Sequence, residues 1–117
     1  MEKERIKVIK ATKERIIVKD ITNEIKYIQK EIGGYIKCFY IGIGLTIICD
    51  EEGKIKNLPQ NIMVMNNNRI VDIICGNCII CRYNEEGEFT SLTEEDINRL
   101  MSDPDFYVYR TVKVGEL

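Results

Sequence analysis

The chain contains no histidine and no tryptophan, and among its 117 residues there are only two prolines and a single alanine. Without histidine, Ser-His-Asp and Cys-His nucleophilic systems are excluded, as is any histidine general base. Catalysis would have to rest on carboxylates, lysine, tyrosine or a metal. Long hydrophobic runs are missing too. The longest, Cys38 to Cys49, is interrupted by Gly42 and Gly44 and is too short to span a bilayer. The charged start, Met1-Glu2-Lys3-Glu4-Arg5, is not followed by an apolar stretch of signal length. Nor is there an excess of basic charge. Seventeen Lys and Arg stand against 19 Asp and Glu, a formal net charge of −2. That balance argues against a general nucleic-acid binder, and it is far from the acidity of a DNA mimic. The expectation is a cytoplasmic protein outside the membrane, whose five cysteines are free thiols.

What is present fits one domain over residues 1–117 with a core that needs no disulfides. Arg5 to Lys10 and Glu14 to Lys19 alternate charged and β-branched residues and predict an N-terminal hairpin. Residues 21–32 predict a helix. Ile21, Ile25, Ile28 and Ile32 form one apolar stripe, Thr22 or Asp20 caps the start, and Gly33 supplies a left-handed stop. Strands follow at Tyr35 to Ile41 and Leu45 to Cys49, joined at Gly42-Ile43-Gly44. Asp50 to Gly53 is a turn, Leu58-Pro59-Gln60-Asn61 breaks regular structure, and Asn66 to Asn68 is a loop. Ile70 to Cys75 and Asn77 to Tyr83 are two strands, or one strand bent at Gly76. Thr93, with Asp96 three positions on, predicts a capped helix, with Leu92 and Ile97 placed as a hydrophobic staple and Pro104 as its end. The tail, Asp105 to Val114, alternates strictly and predicts a strand that closes the sheet or pairs with another subunit. This order is α+β, a mainly antiparallel β-sheet with two helices.

A resemblance rests on four blocks: Gly33-Gly34-Tyr35-Ile36, Cys49-Asp50-Glu51-Glu52-Gly53-Lys54, Leu58-Pro59-Gln60-Asn61, and Gly87 through Glu95. Over residues 5–100 the chain resembles a small domain-of-unknown-function family of bacteriophages and mobile elements in Gram-positive bacteria. The resemblance implies no established activity. It implies a setting in a bacterial host cytoplasm where accessory and counter-defence proteins are frequent.

Three sets of residues could carry chemistry. Cys75, Cys78 and Cys81 have the spacing of thiolates that grip zinc or an iron–sulfur cluster, with Cys38 or Cys49 as a fourth ligand. No second such pair exists and the flanks are apolar strand formers, so they are read as small buried hydrophobes and no metal or cofactor is expected. The acid pairs Glu51/Glu52 and Glu85/Glu86 lie beside glycines in turns and are read as solvated. The third set, Tyr35, Lys37, Tyr40, Asn57, Asn61, Arg69, Asn77 and Arg82, offers aromatic faces for a nucleobase and donors for phosphates. These eight are the candidate ligand-binding residues, provided they converge in one pocket. The expectation is therefore a non-enzymatic accessory protein that sequesters a small nucleotide-type immune signal, as a homo-oligomer. The alternatives are an inhibitor that docks on a host defence protein, and a small nucleotide-acting enzyme using carboxylates or a metal.

Overall fold

The computed structural model describes residues 4–42, 44–106 and 110–114. Strand β1 (Arg5–Ala11) pairs antiparallel with β2 (Ile16–Thr22) in unbroken register from Arg5↔Thr22 to Ala11↔Ile16. This is the expected hairpin, its second strand ending three residues later than the sequence pattern suggests. Helix α1 (Ile25–Ile32) follows. It is shorter than expected, because Ile21 and Thr22 complete β2 and do not begin the helix. Its N-cap is Glu24, with no side-chain cap bond, while Gly33 closes it at φ 83° as anticipated.

Strands β3 (Ile36–Gly42) and β4 (Leu45–Asp50) form the next hairpin. Ile43 lies outside the described residues, and Gly44 takes the left-handed turn conformation at φ 84°. Strand β5 (Gln60–Asn66) then begins inside the segment expected to break regular structure. Its residues Ile62, Met63, Val64 and Met65 form a continuous apolar run in which burial, not polarity, alternates, so the period of two is hidden in the letters. Strands β6 (Arg69–Cys75) and β7 (Cys78–Tyr83) are two strands in two different sheets, parted at Gly76 with φ 89°. A short β8 (Phe89–Thr90) pairs with β7. Helix α2 (Glu94–Ser102) carries the full capping box: the Asp96 amide donates to Thr93 Oγ1 and the Thr93 amide to Asp96 Oδ2. The tail becomes a strand only at β9 (Thr111–Lys113). There it closes a sheet within the chain, lying parallel to β5. Its Tyr107, Val108 and Tyr109 lie outside the described residues.

The architecture is α+β with mainly antiparallel sheets. The larger sheet runs β2-β1-β7-β4-β3, with β8 on β7, and the smaller runs β6-β5-β9. Alternation along the larger sheet sends side chains into two cores. On one face Ile6, Val8, Ile48, Ile79 and Cys81 meet Ile21, Ile28 and Ile32 under α1. On the other, Ile9, Ile47, Cys78 and Ile80 meet Ile62, Val64 and Val112 of the smaller sheet and Leu92, Leu100 and Phe106. Each fully buried Ile, Leu or Val side chain contributes about 1.5–3 kcal/mol. The layers are thus α1, the larger sheet, and then the smaller sheet with α2.

Candidate ligand-binding cleft

The eight candidate residues do not share one pocket. Lys37 and Tyr40 stand on opposite faces of β3, because residues three apart on a strand must. Tyr40 packs edge-on against Tyr83, ring centroids 4.9 Å apart. Lys37 borders a cleft of only about 60 Å³ together with Glu51, Lys54, Asp72 and Cys75. That is room for about two waters. Asn57 is exposed at the end of the turn that follows β4, with a left-handed φ of 62°. Arg69 and Asn77 are exposed at the start of β6 and between β6 and β7.

Two of the eight are engaged in building the fold. Arg82 donates from Nε and Nη2 to the Asp96 carboxylate at 2.6 and 2.7 Å, tying β7 to the first turn of α2. Burial by itself would raise the Asp96 carboxyl, but Arg82 and the Thr93 amide and hydroxyl outweigh it and hold the group below its ordinary range. Asn61 is buried, and its amide nitrogen donates to the carbonyls of Ala11 and Gly76 at 2.8 and 2.9 Å. Its oxygen accepts from Arg110 at 3.1 Å, and Arg110 also donates to the Thr12 carbonyl. Asn61 therefore joins the two sheets and the tail.

The same holds for the cysteines. Cys78 faces the core between the sheets and Cys81 the core under α1, while Cys75 ends a strand of the other sheet. Burial pushes the Cys49 thiol up to about 11 and that of Cys81 up to about 12, and raises Cys78 further. Among the described residues no three His, Cys, Asp or Glu side chains are placed to hold a metal ion.

A different surface gathers charge. Between β2 and α1 lies an open cleft of about 440 Å³ lined by Arg5, Lys19, Asp20, Tyr27, Lys30 and Glu31, with Ile21 and Thr22. Lys10 and Lys19 both bond to Glu31, at 2.7 and 2.5 Å. Burial would raise the Glu31 carboxyl, yet these two ammonium groups hold it below its ordinary range, so Glu31 is ionised and bracketed by positive charge. Arg5 donates to the Asp20 carbonyl at 3.0 Å, which leaves its guanidinium without a carboxylate partner among the described residues. Lys30 likewise has none. Lys26 Nζ lies 5.2 Å from the centre of the Tyr27 ring. A second open cleft of about 380 Å³ adjoins, lined by Lys26, Gln29, Lys30, Gly33, Gly34 and Tyr35. Of the eight candidates only Tyr35 borders this region. Sequence reasoning passed over Arg5, Lys19, Tyr27 and Lys30. The available signal was Tyr27 and Lys30, three apart on the helix and off its Ile28/Ile32 stripe, shortly after the β2 residue Lys19.

The comparisons with known proteins follow this geometry. Residues 5–104 match a domain of unknown function, DUF3846. The chain belongs to that family. No curated protein and no solved structure matches it. In this member of the DUF3846 family the blocks that carried the resemblance do structural work. Asp50 is buried, accepting from Lys56 at 2.8 Å and from the Glu52 amide at 2.8 Å. A Cβ on Gly34 would meet its carboxylate at 2.6 Å, and one on Gly53 would meet the Cys75 carbonyl oxygen at 2.5 Å. None of the helices is long and apolar enough to cross a membrane among the described residues.

Proposed function

We propose that this protein is a non-enzymatic binding protein that sequesters a small anionic, nucleotide-type ligand in the cleft between β2 and α1. The observation that carries the reading is the convergence of Arg5, Lys19 and Lys30 on one cleft of about 440 Å³, a volume in the range of small-molecule sites, where they outnumber the carboxylates of Asp20 and Glu31. Arg supplies a planar fork and Lys point charges, the two donor types that hold phosphate oxygens. The family resemblance supports the wider setting, an accessory, counter-defence protein of a phage or mobile element, acting in the host cytoplasm on an immune signal. Assembly of several copies belongs to the same proposal.

The test is direct. Purified protein is incubated with a panel of nucleotide second messengers, including cyclic ADP-ribose isomers. Free ligand is filtered away, the protein is heat-denatured, and the released molecules are identified by mass spectrometry. Recovery of one messenger intact, lost in Lys19→Glu, is the expected result. Recovery of a chemically altered molecule would replace sequestration by catalysis, and no recovery would end the reading for that panel.

A second reading has its own observation. Strand β6 is an edge of the smaller sheet, and its Ile70 and Val71 are 54% and 49% exposed. An exposed apolar edge suits docking on a host protein by strand addition. Co-purification of one defence protein, lost in Ile70→Lys, would favour it.

A further inference from the structure

We infer that the ligand spans two subsites, with phosphate in the β2–α1 cleft and a flat ring laid on Tyr35. This rests on the proposed function above and narrows it to a nucleotide with its base recognised. The geometry comes from α1. At about 100° per residue, Ile28 and Ile32 point to the core, Lys26, Gln29 and Gly33 fall along one flank of the helix, and Lys30 lies opposite the core. Tyr27 and Glu31 lie around the cylinder from these, toward β2. Lys30 falls between the two sets, and it lines both clefts.

The two clefts differ in chemistry. The one against β2 presents Arg5, Lys19 and Lys30 against the carboxylates of Asp20 and Glu31, the latter held by Lys10 and Lys19. The other is lined by Gly33, Gly34 and Tyr35, which is 68% exposed. The Tyr35 main chain is held, since its carbonyl accepts from the Glu51 amide at 2.8 Å. Tyr27 is the weaker platform, because Lys26 already sits over its ring. Exposed aromatic rings beside cationic grooves stack bases, whichever base is offered. Lys30, common to both clefts, is placed to meet charge at the junction.

The experiment compares ADP with inorganic pyrophosphate by calorimetry at low salt. ADP is expected to bind the wild-type protein roughly tenfold or more tightly than pyrophosphate, the worth of one stacked base. Tyr35→Ala should remove that advantage and leave pyrophosphate unchanged, while Tyr35→Phe should retain it. Lys30→Gln should weaken both. Equal affinities in the wild type, or ADP binding indifferent to Tyr35→Ala, would overturn the two-subsite inference and leave the phosphate cleft standing. Failure of both ligands to bind would overturn the cleft itself.

Discussion

The belt around Gly34, Asp50, Gly53, Asn61 and Gly76 and the cleft beside α1 are built in opposite ways. In the belt each polar group has a defined partner: Lys56 on Asp50, Lys54 on Asp72 at 2.5 Å, and Asn61 on two carbonyls. Glycine is required at Gly34 and Gly53 because the Asp50 carboxylate and the Cys75 carbonyl approach too closely for a Cβ. In the cleft the cations are long and at least partly open to water, and two of them, Arg5 and Lys30, have no carboxylate partner among the described residues. The blocks at Cys49 to Lys54 and Leu58 to Asn61 fall in the belt, whereas the Gly33 to Ile36 block borders both regions, Gly34 against Asp50 and Tyr35 in the cleft. The cations and aromatic rings of the cleft are spread over 31 positions, from Arg5 to Tyr35.

The contrast predicts a graded series. The largest effect belongs to Gly34→Val, which drives a side chain into the buried Asp50 carboxylate; destabilisation of about 2–4 kcal/mol is expected in urea unfolding. A loss below about 0.5 kcal/mol, the range of ordinary surface changes, would mean the belt yields and the contrast is false. Next comes Asn61→Leu, which strips the buried carbonyls of Ala11 and Gly76 of this donor and should cost about 2–3 kcal/mol. A neutral result would show that other groups close the gap between the sheets.

Acid should act on the belt through Asp50, and on the α2 junction through Asp96. For both, burial raises the carboxyl, but hydrogen bonds outweigh it, from Lys56 and the Glu52 amide for Asp50 and from Arg82 and Thr93 for Asp96. A carboxyl depressed in the folded state gives stability that is present above its unfolded value and lost as pH falls through the folded one. The urea midpoint should therefore hold down to about pH 4, the ordinary Asp range, and drop below it. Asp96→Asn should flatten part of that drop. An unchanged pH profile in this variant would remove the Arg82 pair from the account. The smallest stability effect belongs to the cleft. Lys30→Gln should change stability by no more than about 0.5 kcal/mol, as exposed charges do, while weakening ADP and pyrophosphate alike. A large loss of stability there would turn the cleft into another piece of scaffold.

Much of the fold was legible in the letters. The alternation of Arg5 to Lys10, the capping box at Thr93 and Asp96, and Gly33 as a helix stop are local signals, decided within a few residues of themselves. Strand β5 was hidden, because both faces of Ile62 to Met65 are apolar and the period of two leaves no polar trace. Ile21 joins the helical stripe of Ile25, Ile28 and Ile32 by its spacing, but its pairing with Ile6 of β1 decides it for the strand. The tail's strict alternation from Asp105 named a strand, yet only Thr111–Lys113 is one, and the chain at Asp105 and Phe106 is still helical.

By itself, then, the sequence determined the class of fold, the capped second helix, the main hairpins and the exclusion of histidine chemistry. Those follow from composition and from interactions between near neighbours. The tertiary structure alone decided that Arg82 pairs with Asp96, that Asn61 joins two sheets, and that Cys78 and Cys81 look into different cores. It also decided that Arg5, Lys19 and Lys30 share a cleft. Each is a matter of which face of which strand meets which helix, and side chains far apart in the chain meet only once the sheets have formed.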